Sequence, residues 1–138
     1  YASAKGISEI VGATGTSQLN TIWYDTALPQ LPGIQMQPAQ ESVPAMLVAL
    51  DTGRVDLVTC DLPAALAACM AYPNFTILNF SGTEDNFELS EGDVSVGVSV
   101  QKGNAELLEG INAALAGFTP EDFNDLMEDA ITIQPLSE

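Results

Sequence analysis

Four apolar segments of strand length alternate with segments of helix length over the first 80 residues, and this alternation restricts the fold more than any other feature. The predicted strands cover residues 7–13, 34–38, 55–60 and 75–80. Apolar residues between them recur at helical spacing, and Gly or Pro marks the short connections. Because each helix returns the chain to the starting edge of the sheet, the strands are predicted to be mostly parallel. The chain is therefore predicted to be an α/β protein with helices on both faces of the sheet.

The third predicted strand ends in a carboxylate. Gly53 closes the preceding helix, residues 55–60 are apolar enough for a strand buried on both faces, and Asp61 follows directly. Ligands of open α/β sheets bind at the carboxyl ends of the strands, which makes Asp61 a candidate ligand contact. The alternative is that Asp61 caps the helix that Leu62 and Pro63 begin. The residues alone leave both interpretations open.

A polar turn is predicted after the first strand, in Thr14-Gly15-Thr16-Ser17-Gln18. The hydroxyls of Thr16 and Ser17, together with the N–H groups of a following helix, suit a bound carboxylate. The alternative is that one of these hydroxyls only caps that helix. An anion site here and a cation site at Asp61 would together be complementary to a zwitterion such as a free α-amino acid.

The chain beyond residue 80 is acidic and ends in two predicted helices. An exposed loop covers residues 81–92, and alternating valines in residues 93–100 predict a fifth, late strand. The two helices begin near Asn104 and at Thr119-Pro120. The sequence thus predicts a three-layer α/β/α arrangement whose mostly parallel sheet has about five strands, with the late strand antiparallel.

Charge and composition exclude several functions. The formal net charge is −16, with three basic residues and no histidine, so nothing is available to neutralise the phosphates of a nucleic acid or an anionic membrane. The spacing of Cys60 and Cys69 fits no zinc motif, and both are predicted to be buried free thiols, with a disulfide between them as the alternative that the sequence leaves open. No catalytic group, metal site or cofactor is predicted, because the chain lacks histidine and shows no phosphate-loop or nucleophile motif.

Three motifs, in this order and spacing, resemble one family. They are Gly15-Thr16-Ser17-Gln18, the run from Leu50-Asp51-Thr52-Gly53-Arg54-Val55-Asp56 to Asp61-Leu62-Pro63, and Val96-Gly97-Val98-Ser99-Val100-Gln101-Lys102-Gly103-Asn104 with Leu107 and Asn112. Over nearly the whole chain, the sequence resembles the second half of the extracellular solute-binding proteins (family 3) that serve ABC transporters for polar amino acids. The resemblance implies a type 2 periplasmic-binding-protein-like lobe.

The resemblance also implies roles for individual residues. Thr16 and Ser17, within a motif that includes Gln18, would hold the α-carboxylate of an amino acid, and Asp61 would bind its ammonium group. Residues 1–100 would form the ligand-binding lobe and the return through the hinge. Residues 101–138 would form a helical segment that packs on a first lobe. The expected partners are the amino acid and an ABC transporter permease.

The first lobe of the family is missing from this chain, which indicates a fragment of a longer protein. The expected location is extracellular or periplasmic, with membrane anchoring through that parent protein. Two other functions remain open on the same fold: a ligand-sensing domain of a signalling receptor, and a dehydratase-like enzyme. Without a covering lobe, Leu108, Leu115, Phe123 or Leu126 would be exposed, so the chain is expected to self-associate or to fold its last helices onto its own sheet.

Overall fold

The computed structural model of the chain describes residues 1–133. Its strands are β1 (Thr14–Ser17), β2 (Gln35–Met36) and β3 (Leu57–Thr59), and its α-helices are α1 (Val43–Asp51), α2 (Leu62–Ala71), α3 (Glu91–Val94), α4 (Ala105–Leu115) and α5 (Pro120–Ile133). Short helical turns occupy Ile7–Glu9, Trp23–Ala27 and Leu28–Gln30. Residues 134–138 of the predicted C-terminal segment lie outside the described part.

The three strands form a small open parallel sheet in the order β2-β1-β3. Gly15 of β1 is paired with Met36 on one side and with Leu57 on the other, and Ser17 is paired with Thr59. The prediction of an α/β protein with a parallel sheet is confirmed. β1 is the central strand, so its carboxyl end is flanked by the ends of both neighbours.

Local capping chemistry explains where α1 and α2 begin. The Ser42 hydroxyl accepts a hydrogen bond from the N–H of Ala45, with proline next in the first turn, and Asp61 does the same for the N–H of Ala64. Gly53 lies just beyond α1 with a φ of +70°, a left-handed conformation that glycine adopts at little cost. The end of α1 at Gly53 and the start of α2 at Leu62 were both predicted.

The first strand lies seven residues later than the sequence predicted. Residues 7–13 contain the turn Ile7–Glu9, and Gly12 has a φ of +71°, which interrupts an extended strand. The Asp85 carboxylate accepts hydrogen bonds from the N–H and hydroxyl of Ser8 and so holds this turn. The strand begins at Thr14, whose N–H donates to the Asp56 carboxylate at 2.8 Å. Asp56 therefore holds the beginning of β1.

Residues 75–80, the predicted fourth strand, form no ladder with the sheet. Their side chains hold the segment instead. The Phe75 ring stacks on Tyr72 with centroids 4.7 Å apart, and Phe80 is buried against the core. The apolar residues that predicted a strand are thus explained by burial of their side chains, without pairing of the backbone.

The predicted fifth strand, residues 93–100, is also wrong. Its start is helical: Ser90 and Asp93 form a reciprocal capping box that begins α3. The remaining residues have no regular structure, and their valines are exposed, Val96 at 99%. The valines do alternate with other residues, but this segment is not paired with any strand in the described chain. Alternation predicts a strand only when the apolar face is buried, and here it is not.

Two apolar clusters form the core. One joins Ile10, Ala13, Leu28, Leu31 and Phe80 beside the sheet. The other joins Met46 and Leu47 of α1 to Ala68 of α2.

β1 packs very closely on the first cluster at Gly15. A Cβ built on Gly15 would lie 2.9 Å from Leu57 Cδ1 and 3.0 Å from Leu28 Cδ1, so a larger side chain there would displace the core. The glycine of the Gly15-Thr16-Ser17-Gln18 motif thus has a packing explanation.

The last two helices are amphipathic, begin where predicted and leave their apolar faces exposed. Asn104 caps α4, and Thr119 and Asp122 exchange hydrogen bonds at the start of α5. The expectation that Leu108, Leu115, Phe123 and Leu126 would be exposed is confirmed. The sequence analysis also expected that these helices could fold onto the sheet of the chain. They do not, and α5 lies against α2. Within residues 1–133, no helix has the length and apolar character needed to cross a membrane.

Candidate functional site

The carboxyl ends of all three strands meet at one edge of the sheet. Because Ser17 pairs with Thr59, Gln18, the first residue after β1, and Asp61, the second residue after β3, both lie at this edge. On the other side, Gln18 forms a parallel bridge with Gln40, and the N–H of Leu19 donates to the Gln40 carbonyl at 2.8 Å. The sequence predicted Gln18 and Asp61 as site residues, and the fold brings them to the same edge.

The sequence predicted the hydroxyls of Thr16 and Ser17 on a turn, but in the structure they lie inside the sheet. Both residues lie in β1 and are fully buried. Thr16 Oγ1 donates to the Pro38 carbonyl at 2.9 Å, and Ser17 Oγ donates to the Thr59 carbonyl at 2.5 Å. These bonds join β1 to the segment that follows β2 and to the last residue of β3. The two hydroxyl protons are therefore committed to the backbone.

Asp61 adopts the capping role that the sequence left open, but only with one oxygen. Its Oδ1 accepts from the Ala64 N–H at 2.8 Å, and the residue is exposed. No donor within residues 1–133 contacts Oδ2 in the structure. A carboxylate that caps a helix with one oxygen retains a second acceptor for an ammonium group or other cationic donor.

Gln18 and Asn20 carry side-chain amides just after β1, at the same edge of the sheet. Gln18 is half-buried, and its backbone carbonyl accepts a hydrogen bond from Thr21 Oγ1 at 2.7 Å. Asn20 is exposed and has a φ of +59°, the left-handed region that non-glycine residues seldom adopt. The sequence analysis missed Asn20. Its only local signal is that asparagine tolerates this conformation better than most residues.

A protonated thiol separates the strand end from Asp61. Burial raises the pKa of Cys60 from 9.0 to about 11, with smaller contributions from the neighbouring charges of Asp61 and Cys69. Both cysteines are free, as predicted, although they are half-buried rather than fully buried. The Cys60 thiol therefore contributes no anionic charge to this edge at neutral pH.

We expect alkylation of Cys60 by iodoacetamide at about pH 8 to be roughly a hundredfold slower in the folded chain than in the urea-unfolded chain, because the thiolate fraction falls by that factor. Peptide mapping by mass spectrometry separates the Cys60 adduct from that of Cys69. The pH–rate profile should have its midpoint near 11. A midpoint near 9.0 in the folded chain would contradict the burial effect.

The same pKa makes the fold less stable in alkali. Between pH 9.0 and about 11 the unfolded chain releases the Cys60 proton while the folded chain retains it. The contribution of this thiol to folding is thus unaffected below pH 9.0 and becomes unfavourable as the pH rises through about 11.

The described residues contain no group of three or more His, Cys, Asp or Glu side chains that could hold a metal ion. What the edge offers is one exposed carboxylate oxygen and two amide side chains, which suit a small ligand that carries an ammonium and a carboxylate. No protein-family model, curated protein or solved structure that was compared matches this chain.

Proposed function

We propose that the chain is the second lobe of an extracellular amino-acid-binding protein that serves an ABC transporter. The observation that supports it is that Gln18 and Asp61 follow two paired strands at the carboxyl edge of a parallel sheet, with Asp61 exposed and its Oδ2 free of donors from residues 1–133. This edge is where open α/β sheets bind their ligands. The lobe binds without catalysis, and its partners are the amino acid and the transporter permease.

In the proposed site, Asp61 Oδ2 accepts from the ligand ammonium group. The side-chain amides of Gln18 and Asn20 donate to the ligand carboxylate. Thr16 and Ser17 are positioning residues, because their hydroxyls hold β1 against the backbone at Pro38 and Thr59. This division of roles departs from the direct hydroxyl–carboxylate contact expected from the sequence.

The proposal includes a parent protein with a first lobe that supplies the opposite wall of the cleft. In that parent, residues 75–80 and 93–100, which are unpaired in this structure, join the sheet and complete a five-stranded three-layer lobe. Residues 101–138 pack on the first lobe, and a membrane anchor holds the protein outside the cell. A ligand bound to one wall stays partly solvated, so the isolated chain binds an amino acid only weakly, with a dissociation constant on the order of 1 mM.

The test is a titration of the ¹⁵N-labelled 138-residue chain with each common amino acid, followed by amide NMR shifts. We expect saturable shifts at Gln18, Asn20 and residues 61–64 with a zwitterionic amino acid. The matched control ligand is its N-acetyl derivative, which keeps the carboxylate and removes the ammonium charge. The proposal fails if no amino acid gives saturable shifts at these residues, or if the acetylated form binds equally well.

A further inference from the structure

Two segments of the chain match the acceptor motif for N-linked glycosylation, in which Ser or Thr lies two residues after Asn and the residue between them is not Pro. They are Asn74-Phe75-Thr76 and Asn79-Phe80-Ser81. A glycan is attached to the asparagine side chain by a membrane-bound enzyme, so in a folded chain the motif is an acceptor only where it lies on an exposed loop. The two segments differ in this respect.

Asn74 lies at the tip of a β-turn. The turn spans residues 72–75: Tyr72 is the C-cap of α2, and the N–H of Phe75 donates to the Tyr72 carbonyl at 3.0 Å. Pro73 occupies the second position of the turn, which favours proline, and Asn74 occupies the third. The stacked rings of Tyr72 and Phe75 hold the base of the turn. Asn74 is therefore presented at a defined place on the surface.

The polar side chains of this first motif are not engaged elsewhere in the described chain. Asn74 and Thr76 are both exposed, and neither side chain forms a hydrogen bond within residues 1–133. The amide of Asn74 is the group that would be modified, and the hydroxyl of Thr76 is the second group that the motif requires. Both can be reached by an enzyme without any change in the fold.

The second motif is anchored to the core. Asn79 Oδ1 accepts a hydrogen bond from the N–H of Ser81 at 3.0 Å, and Phe80 between them is buried in the first apolar cluster. An enzyme that took up Asn79 and Ser81 together would have to withdraw the Phe80 ring from that cluster into water, which is unfavourable. Only the first motif is therefore accessible in the folded chain.

The turn is remote from the candidate ligand site. α2 begins just after Asp61 and has 10 residues, so its other end, which Asn74 follows, lies about 15 Å away along the helix axis. The turn also precedes residues 75–80, so it is retained when that segment joins the sheet of the parent. A glycan at Asn74 is thus compatible with a ligand at Asp61.

We propose that Asn74 carries an N-linked glycan. This rests on the part of the proposed function that places the protein outside the cell, where glycosylated surface loops are found. The co-reactant is an oligosaccharide linked to a lipid phosphate. Asn74 Nδ2 forms a bond to the anomeric carbon of the sugar, and the bond from that carbon to the phosphate oxygen breaks. The lipid phosphate leaves with the bonding electrons, and Nδ2 gives up one proton to the transferase.

The first test uses the folded 138-residue chain, a lipid-linked oligosaccharide and a purified oligosaccharyltransferase that modifies free peptides of residues 70–78 and 77–83. Peptide mapping by mass spectrometry locates the product. We expect one glycan, at Asn74. Asn74→Gln and Thr76→Ala should each abolish it, and Thr76→Ser should retain it because serine keeps the hydroxyl. Asn79→Gln is the matched control and should leave the modification unchanged.

The second test maps the protein isolated from the surface of the cells that make it. Peptide-N-glycosidase removes an N-linked glycan and leaves aspartate in place of the asparagine, which mass spectrometry detects at position 74. An unmodified Asn74 in this protein would overturn the proposal, as would a folded chain that is not modified at Asn74 in the first test. Equal modification of Asn79 in the folded chain would contradict the selection by burial of Phe80.

The outcome is separable from that of the amino-acid titration. Asn74 takes no part in the proposed ligand site, so an unmodified Asn74 leaves the shifts expected at Asp61 unaffected. A glycan at Asn74 would stand even if no amino acid bound, because it requires only the exposed turn and a location outside the cell.

Discussion

Asp61→Asn is expected to weaken amino-acid binding at least about tenfold while leaving the fold almost unchanged. Asparagine caps a helix as well as aspartate does, so the hydrogen bond from the Ala64 N–H is retained. The charge that would bind the ligand ammonium is lost, and a charge-assisted hydrogen bond contributes about 1.5–3 kcal/mol. Since Asp61 is exposed and its interaction is screened by solvent, we expect the lower end of that range.

Two further variants separate the capping role from the binding role. Asp61→Ala removes both, so it should weaken binding similarly and also reduce the free energy of unfolding by about 1 kcal/mol. Asp51→Asn is the matched control. It changes the net charge by the same amount from an exposed position at the end of α1, which is near the opposite edge of the sheet.

The measurements are NMR titration for binding and urea denaturation, followed by the fluorescence of the single tryptophan, Trp23, for stability. If Asp61→Asn bound the amino acid as well as the unsubstituted chain does, Asp61 would be a helix cap and nothing more. If Asp51→Asn weakened binding equally, the effect would come from net charge and not from a contact.

The sequence was sufficient to predict the parallel α/β character because that prediction depends on the order of elements and on local caps. Ser42, Asp61 and Gly53 define the ends of α1 and α2 through contacts within a few residues. β3 lies inside the predicted segment 55–60, although Leu57 and Val58 are only half-buried. The location of Asp61 at a strand end follows directly from these local signals.

The strand predictions failed where the outcome depended on distant residues. Residues 7–13 have the apolar composition of a strand, but Thr14–Ser17 pairs with both neighbours because Gly15 allows the close approach of Leu28 and Leu57. Local sequence does not reveal that approach, since strand preference reflects packing against cross-strand and same-face neighbours. Because the strand lies later in the chain than predicted, Thr16 and Ser17 are in the buried sheet and not on the exposed turn that the sequence predicted.

The sequence predicted that Asp61 and Gln18 lie at the carboxyl edge of the sheet, but not the hydrogen bonds of Thr16 and Ser17. Asp61 and Gln18 lie at the expected edge because adjacent parallel strands end together. The hydroxyls of Thr16 and Ser17 hold the backbone carbonyls of Pro38 and Thr59, partners 22 and 42 residues away in the chain. The pairing of β1 determines which backbone carbonyls accept these hydrogen bonds. The motif alone therefore could not predict the acceptors.

The core beneath this edge supports it, and Leu28→Ala is expected to destabilise the fold by about 2–5 kcal/mol. Leu28 is fully buried in the first apolar cluster, and its Cδ1 lies 3.0 Å from the position a Cβ on Gly15 would take. The substitution leaves a cavity directly under the central strand. Because typical domains are stable by about 5–15 kcal/mol in total, a loss of this size is a large fraction of the stability.

Leu19→Ala is the matched control, since it removes the same atoms from a side chain that is 49% exposed. It should change the free energy of unfolding by no more than about 0.5 kcal/mol. Urea denaturation of both variants, compared at equal m-values, measures the difference. Equal losses in the two variants would mean that Leu28 is not buried under β1. A large loss in Leu28→Ala alone would establish that the edge carrying Gln18 and Asp61 depends on a packed core and not on its hydrogen bonds alone.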